Sequence, residues 1–276
     1  MRYWSLLFAL AAIFCIATTL YTPLDPNWAL PKNVSTLGRD VDHLFDIVLA
    51  ITGIVFVGVN IAFVWATWRF AAADGRPAQY FHGSQRLEVI WTIIPSAILV
   101  FIALYQMGTW AEIKFRSAQP KVQPLAEVTA RQFQWMIRYP GPDRKLGTLD
   151  DLHTVNDLRF VKDAPTVIYL KSQDVLHSFF LPQFRIKQDA VPGLTIPVWF
   201  DADTATSQTQ TGRPYELACA ELCGWGHYKM RGTVTVYETQ DQFDAWMNDA
   251  LKEQARDRPE SIAVASGPQG EELTRP

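Results

Sequence analysis

Cys219-Ala-Glu-Leu-Cys223-Gly-Trp-Gly-His227-Tyr-Lys-Met230 is the stretch on which the reading of this chain turns. It sets two thiols, an imidazole and a thioether close together, and only one other cysteine, Cys15, occurs in the sequence. Thiolate and thioether are soft donors that favour copper, and imidazole suits copper as well as zinc. The spacing is too short for separate elements, so the four groups share one tight loop, with Gly224 and Gly226 letting the backbone fold round an ion. A Cys219–Cys223 disulfide, a structural zinc site and a copper site all compete for this loop. Met230 counts against zinc, which prefers Cys and His. A single-copper electron-transfer site uses one Cys, two His and a weak axial Met. The second Cys therefore suggests two coppers sharing two bridging sulfurs.

A second His must come from elsewhere, and His43, His82, His153 and His177 are the candidates. His177 ends the strand-like run Thr166-Val-Ile-Tyr-Leu-Lys-Ser-Gln-Asp-Val-Leu-His177 and precedes Ser178-Phe-Phe-Leu-Pro182. Three strings, Val175-Leu-His177-Ser178, Asp189-Ala-Val-Pro192-Gly193 and the cysteine loop, resemble cytochrome c oxidase subunit II, and the resemblance runs over about residues 42–247. It implies a dinuclear copper centre, CuA, bridged by Cys219 and Cys223. His177 and Met230 would complete one copper, and His227 with the backbone carbonyl of Glu221 the other. The Glu221 side chain would reach a magnesium at the border with subunit I. The implied activity is that of cytochrome-c oxidase: electrons arrive from an external cytochrome c and pass to the haem of subunit I. There oxygen is reduced to water with proton pumping, and subunit III is a further partner.

The remaining sequence fits a membrane protein with one outer domain. Its 276 residues are 49% apolar, enough for one sizeable core plus membrane spans. A formal charge of -3 gives no reason to expect a nucleic-acid partner. Residues 1–22 read as a signal peptide or an additional N-terminal membrane helix, and residues 23–42 as an external loop. Residues 43–112 read as a transmembrane helical hairpin built on apolar stretches 44–68 and 89–110. The second of these is about 33 Å long as a helix, enough to cross a bilayer. Pro95 is tolerable inside it, and Trp65, Trp68, Trp91 and Trp110 sit near the ends as interfacial aromatics do. Arg69, Arg76 and Arg86 outweigh Asp74 and Glu88 in and beside the connecting loop, which places that loop in the cytoplasm. The outer domain then faces the periplasmic side of a bacterial cell membrane crossed more than once, in contact with lipid. Glu88 reads as an acid that the helix macrodipole favours. The resemblance gives it a place at the mouth of a proton uptake path.

Residues 113–252 read as the outer domain. Strand candidates at 127–130, 133–139, 166–170, 195–200, 215–218 and 232–237, with Pro/Gly turns between them, predict an antiparallel sandwich or barrel. Residues 240–253 look helical, with Phe243, Trp246, Met247 and Ala250 on one face. Residues 253–276 read as a disordered tail, polar and rich in turn formers. The fold class is thus a membrane α-helical hairpin plus an all-β domain. The resemblance makes that domain a Greek-key cupredoxin barrel, with the copper loop between its last two strands.

In the family, the electron-accepting aromatic lies in a Gly-x-Gln-Trp-x-Trp run, matched here by Ala130-Arg-Gln132-Phe133-Gln134-Trp135. Phe133 stands where the first Trp is usual, so Phe133 and Trp135 are both candidates; Trp135 also reads as barrel core. Asp174 matches a surface acid that attracts basic cytochromes, and by itself reads as a solvated turn. The sequence has no C-x-x-C-H haem-attachment motif, so the donor is expected to be a separate protein. A membrane-anchored copper chaperone or thiol oxidoreductase using Cys219 and Cys223 is the rival reading. It requires a thioredoxin-like βαβ pattern around the cysteines.

Overall fold

The computed structural model describes residues 2–22, 25, 28–71, 77, 80, 82–209 and 211–257. It divides into two compact units, Met1–Gln119 and Pro120–Pro276. Arg76 and Asp74 of the connecting loop, and tail residues 258–276, lie outside the described residues.

The first unit is helical: α1 (Arg2–Tyr21), α2 (Thr36–Arg69) and α3 (Gln85–Lys114). Each is long and apolar enough to cross a membrane. Their large apolar side chains, Ile54, Val59, Ile93 and Leu99 among them, stay exposed, which suits a surface solvated by lipid tails. Asn60, the polar interruption in α2, donates its amide to Phe56 O at 2.8 Å, so it costs little there. Phe8 of α1 meets Phe63 of α2 edge-on at 4.8 Å, and Tyr105 of α3 reaches His43 Nε2 of α2 at 3.3 Å.

The helix α2 starts inside the segment 23–42 expected to be an external loop. Ser35 is the cap: its side chain accepts from Gly38 N at 3.3 Å, as a serine preceding a first turn does. The Asn33 side chain accepts from Ser35 N at 2.8 Å and donates to Asp42 at 2.9 Å. A Cβ at Gly38 would lie 2.5 Å from Asn33 Oδ1, so a larger residue there would displace the Asn33 amide from this cap. The polar residues Arg39 and Asp40 hid the helix from an apolar-run reading. Ser84 caps α3 likewise, accepting from Leu87 N at 3.4 Å.

Among the described residues the second unit is a two-sheet sandwich of ten strands, the Greek-key cupredoxin architecture expected. One sheet has the order β3-β2-β1-β5-β8 and the other β4-β10-β9-β6-β7. The strands are β1 (Ala126–Arg131), β2 (Gln134–Tyr139), β3 (Leu152–Val155), β4 (Asp157–Val161), β5 (Thr166–Ser172), β6 (His177–Leu181), β7 (Ile186–Ala190), β8 (Ile196–Phe200), β9 (Tyr215–Cys219) and β10 (Arg231–Tyr237). The sheets are mixed rather than antiparallel: β1 runs parallel to β5 and β4 parallel to β10. Each of these two pairs joins strands separated by a crossing to the other sheet.

Alternation fixes the core. In β2 every second residue, Trp135, Ile137 and Tyr139, is buried, the period expected of a strand with one wet face. Phe200 sits among Phe160, Phe179 and Phe184, with ring centroids 5.2–6.4 Å away. Sequence reading omitted β3, β4, β6 and β7. The strand β6 is buried on nearly every residue and shows no alternation, while β7, Ile-Lys-Gln-Asp-Ala, is an edge strand with a polar middle.

Helix α4 (Gln240–Asp257) closes the fold. Phe243 and Trp246 pack on Tyr139 and Tyr237, and Arg159 lies over the Trp246 ring at 4.7 Å. Near its end, Gln254 donates to Asp151 O and accepts from His153 N, each at 2.8 Å. That anchorage keeps residues 253–257 helical, where the disordered tail was expected to begin.

Candidate metal centre

The loop between β9 and β10 carries the sulfur donors, and its ends are pinned by the sheet. Cys219, the last residue of β9, donates its N–H to Met230 O at 3.1 Å, and Ala220 N donates to Ser178 O of β6 at 3.0 Å. Inside the loop, His227 N, Lys229 N and Met230 N each donate to a carbonyl three residues back, at 3.1 Å. Gly224 takes φ +131, a conformation open to glycine alone at low cost. His177 opens β6, and Phe179 stands opposite Cys219 in the β6–β9 register. The imidazole therefore arrives from a neighbouring strand, next to the first cysteine.

The donor atoms converge. Cys219 Sγ lies 3.9 Å from Cys223 Sγ, 3.9 Å from His177 Nδ1 and 3.2 Å from the Glu221 carbonyl oxygen. Cys223 Sγ lies 3.6 Å from His227 Nδ1 and 3.8 Å from Met230 Sδ. Metal–sulfur bonds of about 2.3 Å and metal–nitrogen bonds of about 2.0 Å, meeting near the tetrahedral angle, place neighbouring donors about 3.5–3.8 Å apart. The observed separations fit donors that share ions. They do not fit a disulfide, whose sulfurs stand about 2.05 Å apart, and both cysteines are free. The site is sealed from water on its inner side: His177 and Met230 are fully buried and Cys223 nearly so. Burial first, and the adjacent Cys219 second, push the Cys223 thiol up to about 12. A bound cation acts in the opposite direction, so binding there is coupled to loss of the proton.

The surrounding residues hold these donors in place. His177 Nε2, the ring nitrogen facing away from the cysteines, meets Asp174 Oδ1 at 2.8 Å. The Asp174 carboxylate also accepts from Gln132 N and Val175 N, each at 2.7 Å. Partial burial opposes its ionisation, but these hydrogen bonds outweigh it and hold the carboxyl below the usual aspartate range. Gln132 Nε2 donates to Cys223 O at 2.5 Å. Phe133 lies against the loop, where a Cβ on Gly226 would come within 2.5 Å of its ring.

Of the sequence-predicted residues, His177, Cys219, Glu221, Cys223, His227 and Met230 come together here. His153 lies on β3 of the opposite sheet, and His43 and His82 belong to the helical unit. Trp135 is fully buried, edge-on to His177 and Phe179 at 6.3 and 5.7 Å. It is core, out of reach of a docking partner. Asp174, expected as a docking acid, has its oxygens on Gln132 N, Val175 N and His177 Nε2. Glu88 stands exposed in the first turn of α3. Sequence reading gave no role to Gln132 or Trp225. The signal for Gln132 was its place directly before Phe133; for Trp225 it was a large aromatic set between two glycines inside the donor loop. No α-helix follows the cysteines as a thioredoxin-like site requires: a single 3-10 turn, His227–Lys229, stands between Cys223 and β10.

Comparison with known proteins bears on both units of the chain. Residues 23–108 match the family described as cytochrome C oxidase subunit II, transmembrane domain. Residues 127–236 match cytochrome C oxidase subunit II, periplasmic domain. The alternative cytochrome c oxidase subunit 2 of Bradyrhizobium diazoefficiens is 30% identical over 257 residues, covering 85% of this chain and 88% of the relative. Cytochrome c oxidase subunit 2 of Thermostichus vulcanus is 29% identical over 272 residues, covering 79% and 77%. Among solved structures, the periplasmic domain of subunit II of the Bradyrhizobium japonicum cytochrome oxidase superposes with a TM-score of 0.41 at 24% identity. It covers 49% of this chain and 97% of that one.

Proposed function

The chain belongs to the cytochrome c oxidase subunit II family, and from that premise we propose that its outer domain holds a dinuclear copper centre that relays electrons from cytochrome c to the haem of subunit I. The observation that carries this reading is the pair of thiols 3.9 Å apart, each with further donors within 4 Å. Copper bound there supplies a one-electron acceptor delocalised over two ions. Cys219 and Cys223 would hold both coppers through their sulfurs, with His177 and Met230 completing one, and His227 with the Glu221 carbonyl the other. The donors are fixed before any electron arrives, because β6, β9 and β10 set their backbones and the burial of His177, Cys223 and Met230 keeps water from the inner side; little need move when charge changes. The half-buried Glu221 carboxylate is the group we assign to magnesium at the subunit I boundary.

In the membrane, the proposed topology is α2 and α3 as a hairpin with a cytoplasmic loop and a periplasmic copper domain. Residues 1–22 are a further membrane helix or a removed signal. Subunits I and III are the partners of the assembled oxidase. Paramagnetic resonance on the copper-loaded full chain tests the central reading. The expected spectrum shows hyperfine splitting from one electron shared equally by two copper nuclei; a single-copper spectrum overturns it.

Asp174 orients His177 by accepting its outer N–H, the arrangement that fixes tautomer and ring direction in metal-bound imidazoles. Asp174→Asn is expected to weaken copper retention by about 10–100-fold and to shift the reduction potential. If both are unchanged and only the KM for cytochrome c rises, the docking role holds instead. We assign Glu88, exposed in the first turn of α3, to the mouth of a proton uptake path. Glu88→Gln is expected to slow proton uptake by the assembled oxidase by about 10²-fold or more, the usual worth of a positioned proton-transfer group, with the copper spectrum unchanged. Normal turnover would leave Glu88 as an acid that the helix dipole favours.

A further inference from the structure

We propose that Trp225 is the side chain through which electrons enter this domain, and that Leu222, Trp225 and Tyr228 seat a small soluble redox protein whose cofactor edge lies within an apolar rim. The inference rests on the copper reading above and adds its outer contact. Trp225 stands between Cys223 and His227, separated from each by one glycine. It is 76% exposed, whereas Phe133 is half-buried beneath it, edge-on at 5.3 Å. Phe133 in turn presses on the loop glycines: a Cβ on Gly224 would meet its ring at 3.2 Å. Two routes thus join the outer indole to the donor set, one through the backbone of the loop and one through the Phe133 ring. Trp135, the other aromatic of that run, is buried and offers no outer surface.

The Trp225 ring is also held in position. Lys229 Nζ lies over it at 4.5 Å, a cation–π contact, while Phe133 meets it edge-on. Leu222 and Tyr228, exposed by 77% and 74%, flank it on the same loop. Large apolar side chains clustered bare on one loop mark an interaction surface, and Trp and Tyr are the residues that most often carry binding energy. The partner is an electron carrier because the patch is built on the donor loop itself. Its attraction is mainly apolar: the loop carries only two charged side chains of opposite sign, Glu221, half-buried, and Lys229, held over the Trp225 ring. The association rate should therefore depend weakly on salt.

The test uses the assembled oxidase with a reduced soluble c-type cytochrome as donor. Trp225→Ala is expected to lower the second-order rate of copper reduction by at least about tenfold, the scale of one hot-spot truncation. Trp225→Phe is expected to restore most of that rate, and in both variants the copper spectrum and potential stay as in the unmodified chain. An unchanged rate in Trp225→Ala overturns the proposal, as does a steep fall of the unmodified rate with salt. Loss of another subunit from the purified Trp225→Ala complex, with the rate per intact centre unchanged, also overturns it, showing that the oxidase itself covers the patch. If the unmodified protein lacks the dinuclear spectrum, the copper reading fails first and this inference with it.

Discussion

Cys219→Ser is expected to erase the shared-electron copper signal and to leave at most one copper per chain. Cys219 Sγ is the hub of the donor set, touching the other thiol, the His177 imidazole and the Glu221 carbonyl at 3.9, 3.9 and 3.2 Å. A serine hydroxyl is harder and far less acidic than a thiol, so it does not replace the soft bridging donor that copper selects. The loss should exceed the 10–100-fold that removal of an outer-shell partner costs. The fold should survive, because the backbone bond from residue 219 to Met230 O does not depend on the side chain and serine is nearly the same size. Metal analysis, paramagnetic resonance and thermal melting on one preparation separate these effects. A variant with two coppers and an unaltered spectrum would remove Cys219 from the bridge.

Gly226→Ala should strike the same site through packing alone. The added Cβ would lie 2.5 Å from Phe133 Cδ2 and 2.6 Å from its Cγ. That is the root of the ring, not a flexible tip, so the whole side chain or the loop must shift. Overpacking of this kind costs about 1–3 kcal/mol, which for a domain of this size lowers the melting midpoint by a few degrees per kcal/mol. Phe133 follows Gln132, whose amide holds the Cys223 carbonyl at 2.5 Å, so the shift should also loosen the second thiol and reduce copper affinity. Phe133→Ala in the same chain removes the clash and should recover much of the loss, a coupling that a double-mutant cycle measures. Additive effects of the two changes would show that Phe133 and Gly226 do not press on each other.

The membrane spans were legible because a long apolar run has one explanation in a chain of this composition. Their ends were less so: the start of α2 depends on a cap made by Ser35, Gly38 and Asn33, which a hydropathy pattern does not register. In the outer domain, strands with one wet face, such as β2, declared themselves by alternation. The strand β6, buried nearly throughout, gave no such signal, although it delivers His177. The parallel pairing of β1 with β5 and of β4 with β10 was equally hidden, since pairing between distant strands leaves no mark on either one.

The sequence alone decided which atoms are available: two thiols, a thioether and an imidazole confined to twelve residues must lie close whatever the rest does, because chain connectivity sets the limit. It took the tertiary structure to decide what those atoms face. The β6–β9 register brings in His177, forty-two residues from Cys219, and the turn before β6 points Asp174 back at that imidazole. The tight packing of Phe133 on the loop glycines leaves the Trp225 indole on the outside. Such contacts follow from the positions of backbones far apart in the chain, so no local pattern of residues encodes them.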